Sequence, residues 1–300
     1  MKTGRIKFLT LLERSCIVFG VMNVLAPEKK LAVINALVEG NSIRSIERMT
    51  DVNRNTIMSL LVRVGDGCAR LLNEKIREIP AKRIQVDEIW TFVFVKQARL
   101  NGNHNHAEMG DQYVFIGMDA DTKLVISHLV GKRDAVTAWH FMQDLKERLN
   151  NRVQLTTDGF KPYLNAVEDA FGADVDFAQL VKLYGRPNQS AQGGDWYEPV
   201  RVLAAMPMRV TGKPKLDWIS TSYIERQNLT IRMRLRRFTR LTNAFSKKLV
   251  NLRAAIALHF AHYNFVRIHQ SLRITPAMAS QLTDHIWGFE ELLNAATCSN

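Results

Sequence analysis

Two hydrophobic periods divide the chain. From residue 28 to residue 79 apolar positions recur at helical spacing, and beyond Pro80 they shorten to the alternation of strands. Leu31, Ala32, Ile34, Ala36, Leu37 and Val38 form one stripe, which predicts a helix from Glu28 to Glu39 closed by Gly40. Ser42 is placed to cap a short second helix carrying Ile43, Ile46 and Met49. Asn53 is placed to cap a third, carrying Ile57, Leu60, Leu61 and Val64. Two short helices joined by a tight polar turn make a helix-turn-helix pattern. Its second helix would present Arg54, Asn55, Thr56 and Ser59 to base edges, with Arg63 nearer the DNA backbone. The competing reading is a plain three-helix packing unit with a polar outer face.

After Pro80, Ile84 to Val95, Tyr113 to Met118 and Leu124 to Val130 read as a three-stranded meander, with a turn at Asp119-Ala-Asp-Thr. An amphipathic helix from Ala135 to Leu149, with Trp139, Met142, Leu145 and Leu149 on one side, leads to a short apolar strand, Val153 to Thr157. A helix from Tyr163 to Phe171 and a strand around Val175 to Val181 follow. Three strands, helix, strand, helix, strand is the order of a ribonuclease H-like α/β core with a mixed sheet. Pro187, Gly193, Gly194, Pro199, Pro207, Gly212 and Pro214 predict a loop-rich insert over 184–218, and helices resume at Ser222. The expected organisation is a helical DNA-binding domain over 1–79, then a catalytic domain over 80–300 with a helical C-terminal region.

Charge adds a partner. The net charge is +12 and the pI is about 9.8, which points to nucleic acid or an anionic surface. No Asp or Glu occurs between Arg226 and Thr283, whereas Arg232, Arg234, Arg236, Arg237, Arg240, Lys247 and Lys248 crowd the first part of that stretch. Phosphate contacts need such residues, so double-stranded DNA is the expected partner. On its own the run also reads as a solvated helix face. Cys16, Cys68 and Cys298 form no close pair, which argues against a zinc ribbon or a disulfide framework and fits a reducing cytosol. The apolar run from Cys16 to Ala26 is too short to span a bilayer and is interrupted upstream by Glu13 and Arg14, so a buried helix is expected rather than a targeting segment.

Three carboxylates draw attention: Asp87 mid-strand, Asp158 at a strand's C-terminal end, and Glu225 in the first turn of a helix at the head of the basic stretch. Hard divalent cations take carboxylate oxygens, and such ions promote in-line phosphoryl transfer. Each candidate has a plainer competitor. Glu88 adjoins Asp87 but should point to the opposite sheet face. Asp119 and Asp121 suit backbone bonding in a turn, and Glu225 suits a helix N-terminus.

At these residues the chain resembles a family. Ile224-Glu-Arg-Gln-Asn-Leu-Thr-Ile-Arg, Arg236-Arg-Phe-Thr-Arg and Asn243-Ala-Phe-Ser-Lys-Lys look like the C-terminal catalytic region of insertion-sequence-one-type transposases, DDE transposases of bacterial mobile elements. Val86-Asp-Glu-Ile-Trp-Thr-Phe-Val resembles the family's first-aspartate strand, and Thr157-Asp-Gly-Phe, with Tyr163 beyond, its second. The likeness covers roughly residues 80–270 and is strongest over 222–250. It implies catalytic and metal-binding roles for Asp87, Asp158 and Glu225, with Mg²⁺ as cofactor and Mn²⁺ able to substitute. It also implies a role for Arg232, seven positions after the glutamate and two turns along the same helix face. The chain departs from the family at its N-terminus, where the zinc-finger module of some members has no paired cysteines to build it.

Tyr263-Asn-Phe-Val-Arg-Ile-His269 resembles a segment that follows the glutamate helix in integrase-type enzymes. There His269 reads either as a phosphate contact or as a structural histidine. Trp196, Tyr197 and Trp218 suit base stacking or burial under the insert. The expected activity is binding of element ends, metal-dependent cleavage and strand transfer, by a homo-oligomer in a bacterial cytoplasm without membrane contact. The alternatives are a non-catalytic helix-turn-helix protein or decayed transposase, and a ribonuclease H-like nuclease that does not join strands.

Overall fold

The computed structural model describes residues 25–185, 201–239 and 242–297. The apolar run before Leu25, Trp196, Tyr197, Arg240 and Cys298 lie outside them. Three helices come first: α1 (Pro27–Val38), α2 (Ile43–Thr50) and α3 (Arg54–Lys75). Strands β1 (Arg83–Val93), β2 (Gly110–Asp119) and β3 (Val125–Gly131) then lead to α4 (Ala135–Glu147), β4 (Val153–Thr157), α5 (Pro162–Phe171), β5 (Val175–Gly185) and β6 (Arg201–Thr211). Helices α6 (Ser222–Arg234), α7 (Leu249–Ala261), α8 (Pro276–Ala279) and α9 (Phe289–Thr297) complete the chain.

The strands form one sheet in the order β3-β2-β1-β4-β5-β6. β1 runs antiparallel to β2 and parallel to β4, and β4 parallel to β5. A meander followed by two parallel strands reached through α4 and α5 is the ribonuclease H-like arrangement that the element order predicts. Residues 201–211, expected in a loop, instead form β6, antiparallel to an extended β5. Pro207 is compatible with that strand because β6 lies at the edge of the described sheet, where only alternate residues turn an N–H toward the ladder. Helix α4 buries Met142 and Leu145 as expected, but Trp139 is 40% exposed and Ala138 and Phe141 complete the buried face in its place.

The helical trio forms for the reasons its sequence supplies. Ser42 Oγ accepts the Ser45 amide at 3.1 Å and Asn53 Oδ1 accepts the Asn55 amide at 2.9 Å. Asp51 makes the turn between α2 and α3 with a left-handed φ of 58°, a conformation that Asp tolerates. Helix α3 continues well beyond the expected stripe because Cys68, Leu71 and Leu72 give it a second buried segment. That segment packs on α7 and α9, and two glycines make the approach possible. A Cβ at Gly65 would fall 2.5 Å from Ala254 Cα, and one at Gly67 1.8 Å from the Ala296 carbonyl oxygen.

Arg148 ties α4 to the end of α3. Its Nε and Nη2 donate to Asp144 at 2.8 Å each, and Nη1 donates to the Leu72 and Ile76 carbonyls at 3.3 and 3.2 Å. The edge of β3 is completed by a side chain. Fully buried Asn264 accepts the Val125 amide at 3.1 Å and donates to the Val125 carbonyl at 2.9 Å, standing in for a further strand. Asn264→Ala should strand both groups at about 1–3 kcal/mol each. We expect a lower thermal midpoint in calorimetry with little change in helix content, and an unchanged midpoint would refute this role.

Candidate active site

Strand register brings the first two carboxylates together. Gln85 pairs with Thr156 across parallel β1 and β4, so two residues further Asp87 stands level with Asp158, one residue past the end of β4. Asp158 Oδ1 accepts the Phe160 amide at 3.0 Å, and the Asp158 carbonyl accepts Gln179 Nε2 from β5 at 3.0 Å, which fix the turn. The end of a parallel strand beside the sheet's centre is where open α/β sheets place ligands.

Helix α6 is delivered to the same place by Gln85, on the same strand face as Asp87. Gln85 Oε1 accepts the amides of Tyr223 at 2.9 Å and Ile224 at 3.1 Å, satisfying two orphan donors of the helix start. That sets Glu225 in the first turn, and one turn on Asn228 Nδ2 donates to Asp87 Oδ2 at 2.8 Å. Glu225 is ion-paired to Lys182 of β5 and accepts the Thr221 hydroxyl. Asp87, Asp158 and Glu225 line one cavity of about 680 Å³, together with Arg133, Lys161 and Lys182.

Glu88 corrects the sequence reading. It does lie on the opposite face of β1, toward Tyr163 of α5, yet it joins the cluster: one oxygen from each of Asp87, Glu88 and Asp158 lies within 4.8 Å of the others. Asp158 projects beyond its strand and is reached from both faces. Arg133 Nη2 lies 3.6 Å from Glu88 Oε2 and 3.5 Å from Asp158 Oδ2, with its guanidinium 4.0 Å from the Phe160 ring centroid. The Tyr163 hydroxyl faces Glu88 and favours its charge, but neither Tyr163 Oη nor Glu88 Oε1 has a partner at hydrogen-bond geometry.

Crowding and burial act together on these groups. Burial first, then the Asp158 charge, pushes Asp87 up to about 7, and the same two causes push Glu88 up to about 7. Burial raises Asp158 as well, against the Phe160 amide, Arg133 and Lys182. Asp119 plays the part its turn suggests, accepting the Asp121 and Thr122 amides at 3.1 and 3.2 Å.

Away from the cavity, Arg54, Asn55, Thr56, Ser59 and Arg63 are all exposed on the first half of α3. A groove of about 1060 Å³ separates α3 from the segment after α6, and Arg44, Arg54, Arg236, Arg237, Lys247 and Lys248 contribute to its walls. Arg237 donates to Ser246 Oγ at 2.9 Å, and burial pushes its guanidinium down to about 10; among the described residues no carboxylate pairs with it. Arg234 is engaged by Glu39 of the α1 C-cap. Arg232 is half-buried two turns beyond Glu225 in α6 and does not line the carboxylate cavity. His269 holds a turn, with Nδ1 3.0 Å from Ser271 Oγ, and does not line the cavity either. Trp218 lies 4.1 Å from Lys215 Nζ and 5.3 Å from the Arg83 guanidinium.

Sequence reasoning set Glu88 aside and missed Arg133, Lys182, Asn228 and Gln85. The parity of Gln85 and Asp87 on one strand was the only local signal among them.

No protein-family model matches the chain, and no curated protein matches it. Among solved structures, the cryo-EM structure of a piggyBac transposase synaptic complex with hairpin DNA is 7% identical, with a TM-score of 0.42 over 92% of this chain and 71% of that one. The Mos1 transposase paired-end complex with the left transposon end is 14% identical, with a TM-score of 0.24 over 52% of this chain and 60% of that one. A Mos1 mariner paired-end complex with Mn is 13% identical, with a TM-score of 0.21 over 51% and 58%.

Proposed function

We propose that this chain is a metal-dependent DNA transposase of the insertion-sequence type, which binds element ends, cleaves DNA and joins the freed 3′-hydroxyl to a target. One observation carries the reading. Asp87, Asp158 and Glu225, far apart in sequence, line a single cavity whose other charged walls are Arg133, Lys161 and Lys182. Clustered acids with cations set among them suit a phosphodiester held against a divalent ion.

The donor set fits Mg²⁺ or Mn²⁺. Carboxylate oxygens are hard ligands, no His or Cys lines the cavity among the described residues, and a buried carboxylate oxygen of Glu88 lacks a donor. When bound, such a cation supplies charge that stabilises the attacking and leaving oxygens. The chain's own residues do the rest. Arg133 and Lys182 each touch a carboxylate and face the cavity, placed to transfer to phosphate oxygens. Asn228 holds the Asp87 carboxylate in place, and Thr221 that of Glu225. Arg232 supplies a further phosphate contact along α6. Water is the first nucleophile, leaving a 3′-hydroxyl that then displaces a 3′-oxygen of the target strand.

DNA is held at a second surface. Arg54, Asn55, Thr56, Ser59 and Arg63 read sequence as a helix-turn-helix, while Arg236, Arg237, Arg240, Lys247 and Lys248 hold backbone phosphates. Arg237 lines the groove and lacks a carboxylate partner among the described residues, which leaves its charge to an anion there. Two ends must be brought together, so the active form is a homo-oligomer. Among the described residues no helix is long and apolar enough to cross a membrane.

Asp87→Ala, Asp158→Ala and Glu225→Ala should each reduce Mn²⁺-dependent cleavage and joining by at least ~100-fold while sparing end binding. A wild-type rate in any one removes that residue from the site. Cleavage without joining of precut ends would leave a nuclease, and binding without cleavage a DNA-binding protein alone.

Recognition and general affinity should separate. Arg54→Ala or Asn55→Ala should cost about 1–3 kcal/mol of preference for end DNA over random DNA. Arg237→Ala should weaken both alike and flatten the salt dependence. Equal effects of the two classes would remove the recognition role of α3.

The raised carboxylates also set a pH dependence. Asp87 and Glu88 hold protons more tightly in the folded chain than in the unfolded one. Stability of the metal-free protein should therefore fall as pH rises from about 4 through about 7. Mn²⁺ should restore the thermal midpoint at pH 8 and do little at pH 5, because protonated carboxyls do not bind it. A midpoint that is flat across this window, with and without Mn²⁺, would contradict the charge clustering.

A further inference from the structure

We propose that Glu88 is a ligand of the same divalent-cation site, so that in the DNA-free protein the cation is taken by Asp87, Glu88 and Asp158. This rests on reading the cavity as a metal site, and it assigns the ion a residue outside the triad that the family resemblance implies.

The geometry supports it on two independent counts. The only carboxylate group among the described residues with oxygens close enough to share an ion is Asp87, Glu88 and Asp158, at 4.8 Å or less. Glu225 stands outside that group, held by Lys182 and the Thr221 hydroxyl. The Glu88 side chain is only 3% exposed, and its Oε1 is buried with no hydrogen-bond donor. A buried carboxylate oxygen beside two other carboxylates calls for a compensating positive charge. Arg133 provides one to Oε2, from 3.6 Å, and Tyr163 Oη does not reach bonding geometry.

Chain direction explains how consecutive residues serve one ion. Asp87 and Glu88 project to opposite faces of β1, and Asp158 projects past the end of the neighbouring β4. A cation at that strand end is approached from both faces of the sheet, with longer Glu88 bridging the extra distance. Glu225 is then free to join when a DNA phosphate draws Lys182 away.

The test is Mn²⁺ titration of the full-length, DNA-free protein, read by the electron paramagnetic resonance signal of free Mn²⁺. Even outer-shell partners of a ligand are worth roughly 10–100-fold in metal affinity, so loss of a direct ligand should cost at least ~10-fold. We expect Glu88→Gln and Asp87→Asn to weaken Mn²⁺ binding by at least that factor, and Glu225→Gln by less than about threefold. Circular dichroism checks the fold. Glu88→Asp, which keeps the charge but withdraws it by one methylene, should weaken binding severalfold and covers the case in which the Gln variant fails to fold. Wild-type affinity in Glu88→Gln or Glu88→Asp, with Asp87→Asn defective, overturns the Glu88 assignment and leaves the proposed function standing. Absence of Mn²⁺ binding by the wild type, or wild-type affinity in Asp87→Asn, overturns both.

Discussion

Repulsion among Asp87, Glu88 and Asp158 strengthens as water is excluded from between them, because the Coulomb energy of a pair rises as the local dielectric falls. Within the three residues only the Glu88 amide, which donates to Asp87 Oδ1 at 2.9 Å, offsets part of it. The sheet imposes it: parallel β1 and β4 in their observed register set Asp87 level with Asp158, and Glu88 follows by covalent connection. Further relief comes from elsewhere in the fold. Arg133 reaches in after β3, Lys182 from β5, and Asn228 from α6. Each relieving group sits on a different element, so the acids hold together only once the sheet and α6 have assembled. The cluster is thus a stored electrostatic cost, of the kind that marks functional sites more often than scaffolding.

The same logic governs how α6 is placed. A helix N-terminus has unpaired amides, and here Gln85 satisfies two of them from a strand. Because Gln85 and Asp87 share a face of β1, whatever docks on the first is set beside the second. Asn228 then closes the arrangement from the helix side. One glutamine two residues before an aspartate therefore fixes the approach of Glu225, without any sequence proximity between them.

The elements were legible where a local period was strong. The strand from Val153 to Thr157 ends where its apolar run meets Asp158-Gly159, and the caps at Ser42 and Asn53 form as their side chains dictate. Legibility failed where tertiary position outweighed a local rule. Pro207 argued for a loop, and β6 accommodates it because an edge strand needs no amide on its outer side. Alternation set Glu88 aside as facing the wrong way. It does face the other way, but a site at a strand's end is open to both faces. Arg133 and Lys182 carried no signal at all, since one Arg and one Lys among 41 basic residues stand out only when their acids are placed.

Helix α6 also links the two charged surfaces. Its first turn carries Glu225 at the carboxylate cavity, and its last turn carries Arg234, paired to Glu39 at the end of α1. Gly40 lies so close that a Cβ there would fall 2.8 Å from the Arg234 carbonyl oxygen. Thirteen residues at 1.5 Å each make a rod on the order of 20 Å long. Arg148 and the Gly65–Ala254 contact brace the other end of the helical trio against α4 and α7. The residues proposed to read DNA and the carboxylates proposed to cut it are therefore joined through a packed core. On that reading the distance from recognition contact to cut is set by the length of a helix, so changing it requires rebuilding the helix rather than lengthening a loop.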